Sequence, residues 1–246
     1  MKKRSHKIIA LVFLVLLLDQ SLKVWVKLNM NYGEDIRIFG LDRALIHFVE
    51  NNGMAFGFSF GEGMQGKLLL SSLRIVAVGF LVYYINLLLR LRVSFGLLAS
   101  FALILAGALG NIIDSAFYGM LFSSSPYHGG LATFLPEGGG YAPFLQGKVV
   151  DMFYFPLFRG NFPEWIPFLN GRSFIFFRPV FNIADVSITT GVINILLFQR
   201  KFFMQDSQQA VSNQTASDLA AQSFSEPKTI GSDEENDNNP LATPEA

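Results

Sequence analysis

The chain has 246 residues, of which 51% are apolar and 14% aromatic while only 15% carry charge, a composition too apolar for an ordinary soluble domain. It contains no cysteine, which excludes disulfides, thiolate metal sites and cysteine nucleophiles. The net charge of zero conceals a split: residues 205–246 hold eight acids against Lys228 alone, leaving 18 bases and 11 acids in residues 1–204.

A helix needs about 20 apolar residues to cross a hydrocarbon core of ~30 Å. Residues 8–28 form the first such stretch, behind the basic residues Lys2, Lys3, Arg4 and Lys7. That pattern resembles a signal peptide. No small-residue cleavage site follows, however, and the run continues through Val24-Trp25-Val26, so it reads as a retained span. Further spans are predicted over 67–89, 94–117 and 180–199. The basic N-terminal cluster, Arg90 and Arg92 between the second and third spans, and Arg200-Lys201 after the fourth fall on one side. By the positive-inside rule this side is cytoplasmic.

Segments 29–66 and 118–179 then lie outside. Both are rich in Gly and Phe, the second also in Pro and Tyr, and Phe153, Phe155, Phe158, Phe162, Trp165 and Phe168 suit a domain resting on the outer headgroup layer. The expected class is an all-α membrane protein: four transmembrane helices with an outer, periplasmic loop domain that has room for short β-strands. Residues 1–204 form this membrane domain. Residues 205–246 are Gln-, Ser-, Asn-, Asp- and Pro-rich and poor in large apolar side chains, and read as a disordered acidic cytoplasmic tail.

The informative residues are polar ones inside or beside the spans, because such groups are costly in lipid. The first span carries Asp19 and Lys23 on one helix face, the third Asn111 and Asp114, the fourth Asn182 and Asp185. With the orientation above, all three pairs reach the same outer level. Independent polar residues would not share a depth, so they read as one site. The competing reading is that they only join helices, through contacts worth typically ~0.6 kcal/mol.

His6, His47 and His128 are scattered and no HExxH helix is present, so no metal centre is expected. Gly57-Phe58-Ser59-Phe60-Gly61 matches the GxSxG string, but in an outer loop rather than the strand-to-helix elbow that a serine hydrolase needs. Two carboxylates sharing a proton remain. One takes a proton from water while the other donates a hydrogen bond to a scissile carbonyl, with no metal or cofactor. On the residues alone, Asp114 and Asp151 stand level as the partner of Asp185.

At these positions the chain resembles the lipoprotein signal peptidases (signal peptidase II). The resemblance covers roughly residues 10–200 and includes Asp19-x-x-x-Lys23, Asn51-Asn52-Gly53-Met54-Ala55-Phe56-Gly57, Gly110-Asn111-Ile112-Ile113-Asp114, Val149-Val150-Asp151 and Phe181-Asn182-Ile183-Ala184-Asp185. It implies an aspartyl endopeptidase of the bacterial inner membrane with Asp151 and Asp185 as the catalytic pair. Asn111, Asp114 and Asn182 become supporting residues, Asp19 and Lys23 shape the first span, and Asn51 and Gly53 contact the substrate backbone. The implied partner is a diacylglyceryl-modified prolipoprotein, cleaved on the N-terminal side of its lipid-bearing cysteine, with membrane lipid around it. No cofactor, metal or nucleic acid is expected.

Two departures stand out. Ser115 occupies a position that is usually arginine in the family, and the 116–148 segment is longer than expected. Arg178 or Arg172 is the expected replacement cation, and the glycine-rich 118–148 insert is an expected mobile flap. The rival readings are a proton- or ion-coupled transporter using the intramembrane aspartates, and a non-catalytic scaffold.

Overall fold

A computed structural model describes residues 2–52, 64–161, 171, 173–176 and 179–198. Lys2–Asn29 form α1, a 28-residue helix with no proline or glycine to interrupt it. Met64–Arg90 form α2 and Phe95–Ile113 form α3. Ser94 caps α3, its hydroxyl accepting the Leu97 amide at 3.2 Å. The helical path continues through a π-helical turn at Asp114–Tyr118 and a short α4 at Gly119–Leu121. Ile183–Phe198 form α5.

Three of these helical stretches, Lys2–Asn29, Gly66–Arg90 and Phe95–Leu121, are long and apolar enough to cross a membrane. The described part of the fourth, Ile183–Phe198, is apolar but has 16 residues, somewhat short of a full crossing. Phe13, Leu14, Leu17 and Leu18 on α1 and Leu69, Leu73, Val76 and Phe80 on α2 are exposed, as lipid-facing side chains are. The protein is therefore a multi-pass membrane protein. Arg4 Nη1 donates to Val93 O at 3.0 Å, so the basic N-terminus and the α2–α3 turn lie on the same side.

α3 packs most extensively on α5, and α1 and α2 also lie against it. The close α3–α5 approach needs missing side chains. A Cβ at Gly107 would run into the Ala184 carbonyl, and one at Gly110 would lie 2.7 Å from Asp19 Oδ2. Small residues at such interfaces let helix backbones meet in lipid.

The outer segments form more sheet than a purely helical reading anticipates. Strands β1 (Asp35–Arg37), β2 (Leu45–Asn51), β3 (Val149–Tyr154) and β6 (Val180–Phe181) make an antiparallel sheet in the order β1-β2-β3-β6. Strands β4 (Phe158–Asn161) and β5 (Ser173–Phe176) form a separate hairpin. The sheet seats on the outer end of α1 through a buried cluster of Val26, Met30, Phe48, Tyr118, Phe122, Val150 and Met152. β2 and β3 pair with Val49 opposite Asp151 and Asn51 opposite Val149.

The insert between α4 and β3 is tied back at both ends rather than free along its length. Tyr141 N donates to Phe122 O at 3.2 Å, Ala142 N to Gly119 O at 3.0 Å, and Gly147 N to Ser115 O at 2.8 Å. Residues 126–131 at its tip are exposed.

Candidate active site

Local sequence explains how Asp185 is held. Asn182 stands just before α5 and Asp185 is its third residue, the spacing of a capping box. Asp185 N donates to Asn182 Oδ1 at 3.0 Å, and Asn182 N donates to Asp185 Oδ2 at 3.3 Å. The next amide, Ala184 N, donates to Asp19 Oδ1 at 2.9 Å, so a carboxylate of α1 also satisfies the α5 N-terminus. Acidic groups are stabilised there by the helix dipole.

Asn182 is completely buried and reaches across to the sheet. Its Nδ2 donates to Asp151 Oδ1 at 2.7 Å, and lies 3.3 Å from Val150 O and 3.2 Å from Asn111 Oδ1. Asn182 thus contacts both carboxylates, Asp151 through its side-chain amide and Asp185 through its main-chain N–H. Asn111 Nδ2 donates to Asp185 Oδ1 at 2.9 Å. Asn51, at the end of β2, donates from Nδ2 to Asp151 Oδ2.

Beneath this layer lies a charged one. Lys23 Nζ is 2.9 Å from Asp19 Oδ2 and 2.8 Å from Asp114 Oδ2, and donates to Asn111 Oδ1 at 3.0 Å. All three charged side chains are essentially inaccessible to solvent. Asp114 also accepts from Val150 N at 3.3 Å, which fixes β3 one residue before Asp151. That bond, with the ion pair to Lys23, occupies Asp114 in positioning the strand. The π-helical turn that begins at Asp114 is of the kind often found at functional sites.

The two aspartates of the upper layer differ in setting. Asp151 is 3% exposed, whereas Asp185 is half-buried. Burial pushes the Asp151 carboxyl up to about 7, and the charge of Asp185 adds to this. The charge of Lys23 and the hydrogen bond from Asn182 oppose the rise, and the charge of Asp114 reinforces it. A carboxyl that keeps its proton near neutrality beside a half-exposed partner is an arrangement suited to acid–base chemistry on an amide.

The structure therefore brings Asp19, Lys23, Asn51, Asn111, Asp114, Asp151, Asn182 and Asp185 into one hydrogen-bonded group. Gly53, the GxSxG string, Arg172 and Arg178 lie outside the described residues, as does everything from residue 199 onward. Ser115 is buried and donates its hydroxyl to Asn111 O at 3.0 Å, so it contributes no cation.

Sequence reasoning passed over three contributors. Gln20 donates from Nε2 to Asp114 Oδ1 at 2.8 Å, Asp19 Oδ2 at 3.1 Å and Gly110 O at 3.2 Å, and accepts from Tyr118 Oη at 3.2 Å. Its polarity inside the first span was the available signal. Lys27 and Glu50 form a fully buried ion pair that Ser125 joins, with Ser125 Oγ 3.1 Å from both Lys27 Nζ and Glu50 Oε1. Arg74 is a half-buried cation in α2 whose charge acts on Asp185, Asp114 and Asp151.

The carboxylates thus gather at one end of a helical bundle, with Asn182 in contact with both Asp151 and Asp185, in a multi-pass membrane protein. The family described as signal peptidase (SPase) II matches residues 11–201, and the chain belongs to that family. It is a peptidase, and family membership sets the transporter reading aside. The lipoprotein signal peptidase of Porphyromonas gingivalis is 49% identical over 189 residues, covering 76% of this chain and 80% of that protein. The lipoprotein signal peptidase of Amoebophilus asiaticus is 37% identical over 211 residues, covering 85% and 84%. A solved structure of a bacterial membrane enzyme aligns with a TM-score of 0.49 at 21% identity, covering 83% of this chain and 91% of that one.

Proposed function

We propose that this protein is a four-span aspartyl endopeptidase of the bacterial inner membrane that removes the signal peptide from diacylglyceryl-modified prolipoproteins. Asp151 and Asp185 are its catalytic pair. The observation that carries the reading is the contact of Asn182 with both carboxylates, at 2.7 Å to Asp151 and 3.3 Å to Asp185. The relatives named lipoprotein signal peptidase support the substrate class.

In this reading Asp151 holds the pair's proton and Asp185 is ionised. A water between them gives a proton to Asp185, and its oxygen attacks the carbonyl carbon of the residue before the lipidated cysteine. Asp151 donates a hydrogen bond to the carbonyl oxygen as negative charge develops there. The tetrahedral intermediate collapses as Asp185 passes a proton to the leaving nitrogen, and the C–N bond breaks. The products are a new carboxyl on the signal peptide and a free amine on the cysteine. Asn111 and Asn182 keep both carboxylates in register, and Asn51 and Gly53 contact the substrate backbone in this reading.

The diacylglyceryl chains lie between spans and hold the scissile bond at the membrane edge. Each buried CH₂ contributes ~0.8 kcal/mol, so the unlipidated precursor is a poor substrate. Both termini are cytoplasmic and the catalytic pair lies near the outer face. Residues 1–204 form the peptidase domain. The test is cleavage of a lipidated prolipoprotein by the purified protein in detergent. Release of the signal peptide at the residue before the modified cysteine is expected, and an inert, folded protein would reject the reading.

A further inference from the structure

Charge in the site is unevenly matched. Lys23 lies between Asp19 and Asp114, at 2.9 and 2.8 Å. Asp151 and Asp185 sit directly above, so four carboxylates crowd around one ammonium. In lipid an uncompensated charge of this kind is costly, and a cation inside a span is kept only where it has a task.

α2 supplies such a cation. Lys67, Ser71 and Arg74 fall at i, i+4 and i+7 and share one helix face. Two of the three reach segments that flank the site. Lys67 Nζ donates to Asn52 Oδ1 at 3.3 Å, next to Asn51, and Ser71 Oγ donates to Leu145 O at 3.1 Å, close to the Gly147 amide that bonds Ser115 O. Arg74 stands about 15 Å into α2 from Met64, at 1.5 Å per residue. Asp19 lies the same distance into α1 from its outer end at Asn29. Face and depth agree, and the charge of Arg74 acts on Asp185, Asp114 and Asp151.

We propose that Arg74 is a positioning residue whose guanidinium, on the site-facing side of α2, holds the ionised carboxylate of the Asp151–Asp185 pair and keeps that pair singly charged. This rests on the reading of Asp151 and Asp185 as the catalytic pair. Among the described residues, the charged groups facing the pair are Arg74 from α2, Lys23 and Asp19 from α1, and Asp114 from the end of α3. Lys23 is bound to its own two acids. Arg74 is the cation that distinguishes one protonation state of the pair from another. Its planar fork can bond both oxygens of a carboxylate, which a lysine cannot do.

The test follows cleavage of a lipidated prolipoprotein across pH by the full-length protein in detergent, with melting measured in parallel. Arg74→Gln should lower turnover at least tenfold and move both limbs of the pH profile upward by about one unit, since a nearby cation favours ionisation of both carboxyls. Arg74→Lys should leave the limbs in place while turnover falls several-fold. A purely structural role would lower melting and yield without moving either limb, and Arg74→Gln with wild-type limbs overturns the proposal. Where Arg74→Gln does not fold, Arg74→Lys decides. Wild-type turnover there, or turnover reduced only in step with lowered melting, overturns the proposal, and reduced turnover with wild-type melting and unmoved limbs supports it. Retained cleavage by Asp185→Asn would instead reject the catalytic pair itself.

Discussion

Replacing Lys23 with methionine keeps most of the side-chain volume and removes the one ammonium shared by Asp19 and Asp114. Both acids are buried, at 1% and 0% exposure, and Asn111 Oδ1 loses its charged donor as well. Breaking a buried pair by deleting one partner costs about 3–5 kcal/mol, because the remaining charge is left unpaired. For a domain of this size that corresponds to roughly 6–20 °C in melting temperature. Thermal unfolding in detergent reads the loss directly.

The cause is checked by removing the stranded charges too. Lys23→Met with Asp19→Asn and Asp114→Asn should regain most of the lost stability. The side-chain amide introduced by Asp19→Asn can still accept the Ala184 N–H through its oxygen. The amide introduced by Asp114→Asn has one acceptor oxygen for two donors, Gln20 Nε2 and Val150 N, so recovery should stop about 1 kcal/mol short. A single Lys23→Met variant melting within 2 °C (about 1 kcal/mol) of wild type would refute the reasoning.

Because burial holds Asp151 up to about 7, and this carboxyl must be protonated to act, kcat/KM should fall as pH rises through about 7. Activity that climbs steadily through alkaline pH would contradict this assignment. Lys27→Met should destabilise by up to about 3–5 kcal/mol because it leaves the buried Glu50 with only the more distant Lys148, at 3.7 Å, as a cation, while Ser125→Ala should cost about 1 kcal/mol. Comparable melting for both variants would show that the pair does not brace β2 against α1. Gly110→Ala should cost about 1–3 kcal/mol by overpacking, since its Cβ would meet Asp19 Oδ2 at 2.7 Å. An unchanged melting curve would mean that α1 moves away from α3 freely at this point.

Much of the site could be read from the chain because periodicity and cost act together in a membrane. Asp19 and Lys23 are four apart on a helix, so their side chains must meet. Asn182 and Asp185 have the spacing of a helix N-cap, which fixes both without knowledge of the rest of the fold. Asp151 could not be reached in that way. It lies on β3, between apolar neighbours in an outer segment, and its depth depends on pairing with β2 and on the amide bond from Val150 to Asp114. Hence Asp114 and Asp151 stood level until the family resemblance separated them.

Glu50 and Lys27 were missed for a related reason. Their meeting depends on how β2 docks on α1, and no local pattern encodes that. The sheet itself was only a possibility in the sequence, because its strands are short and widely separated, with β2 and β3 nearly a hundred residues apart. Arg74 was legible as a charge within an apolar helix, but no acidic residue lies three or four positions from it to mark a pair.

Single and double Asn substitutions at Asp151 and Asp185 test the central claim most directly, by cleavage of a lipidated prolipoprotein with folding checked by detergent melting. Asparagine keeps the size and hydrogen bonding of each side chain and removes its acid–base function. Each single variant should be folded and inactive, and the double variant scarcely worse, because the two groups act as a unit. Asp114→Asn should retain measurable turnover. Substantial cleavage by Asp151→Asn, alongside a folded but dead Asp114→Asn, would contradict the account and transfer the chemistry to the other carboxylate.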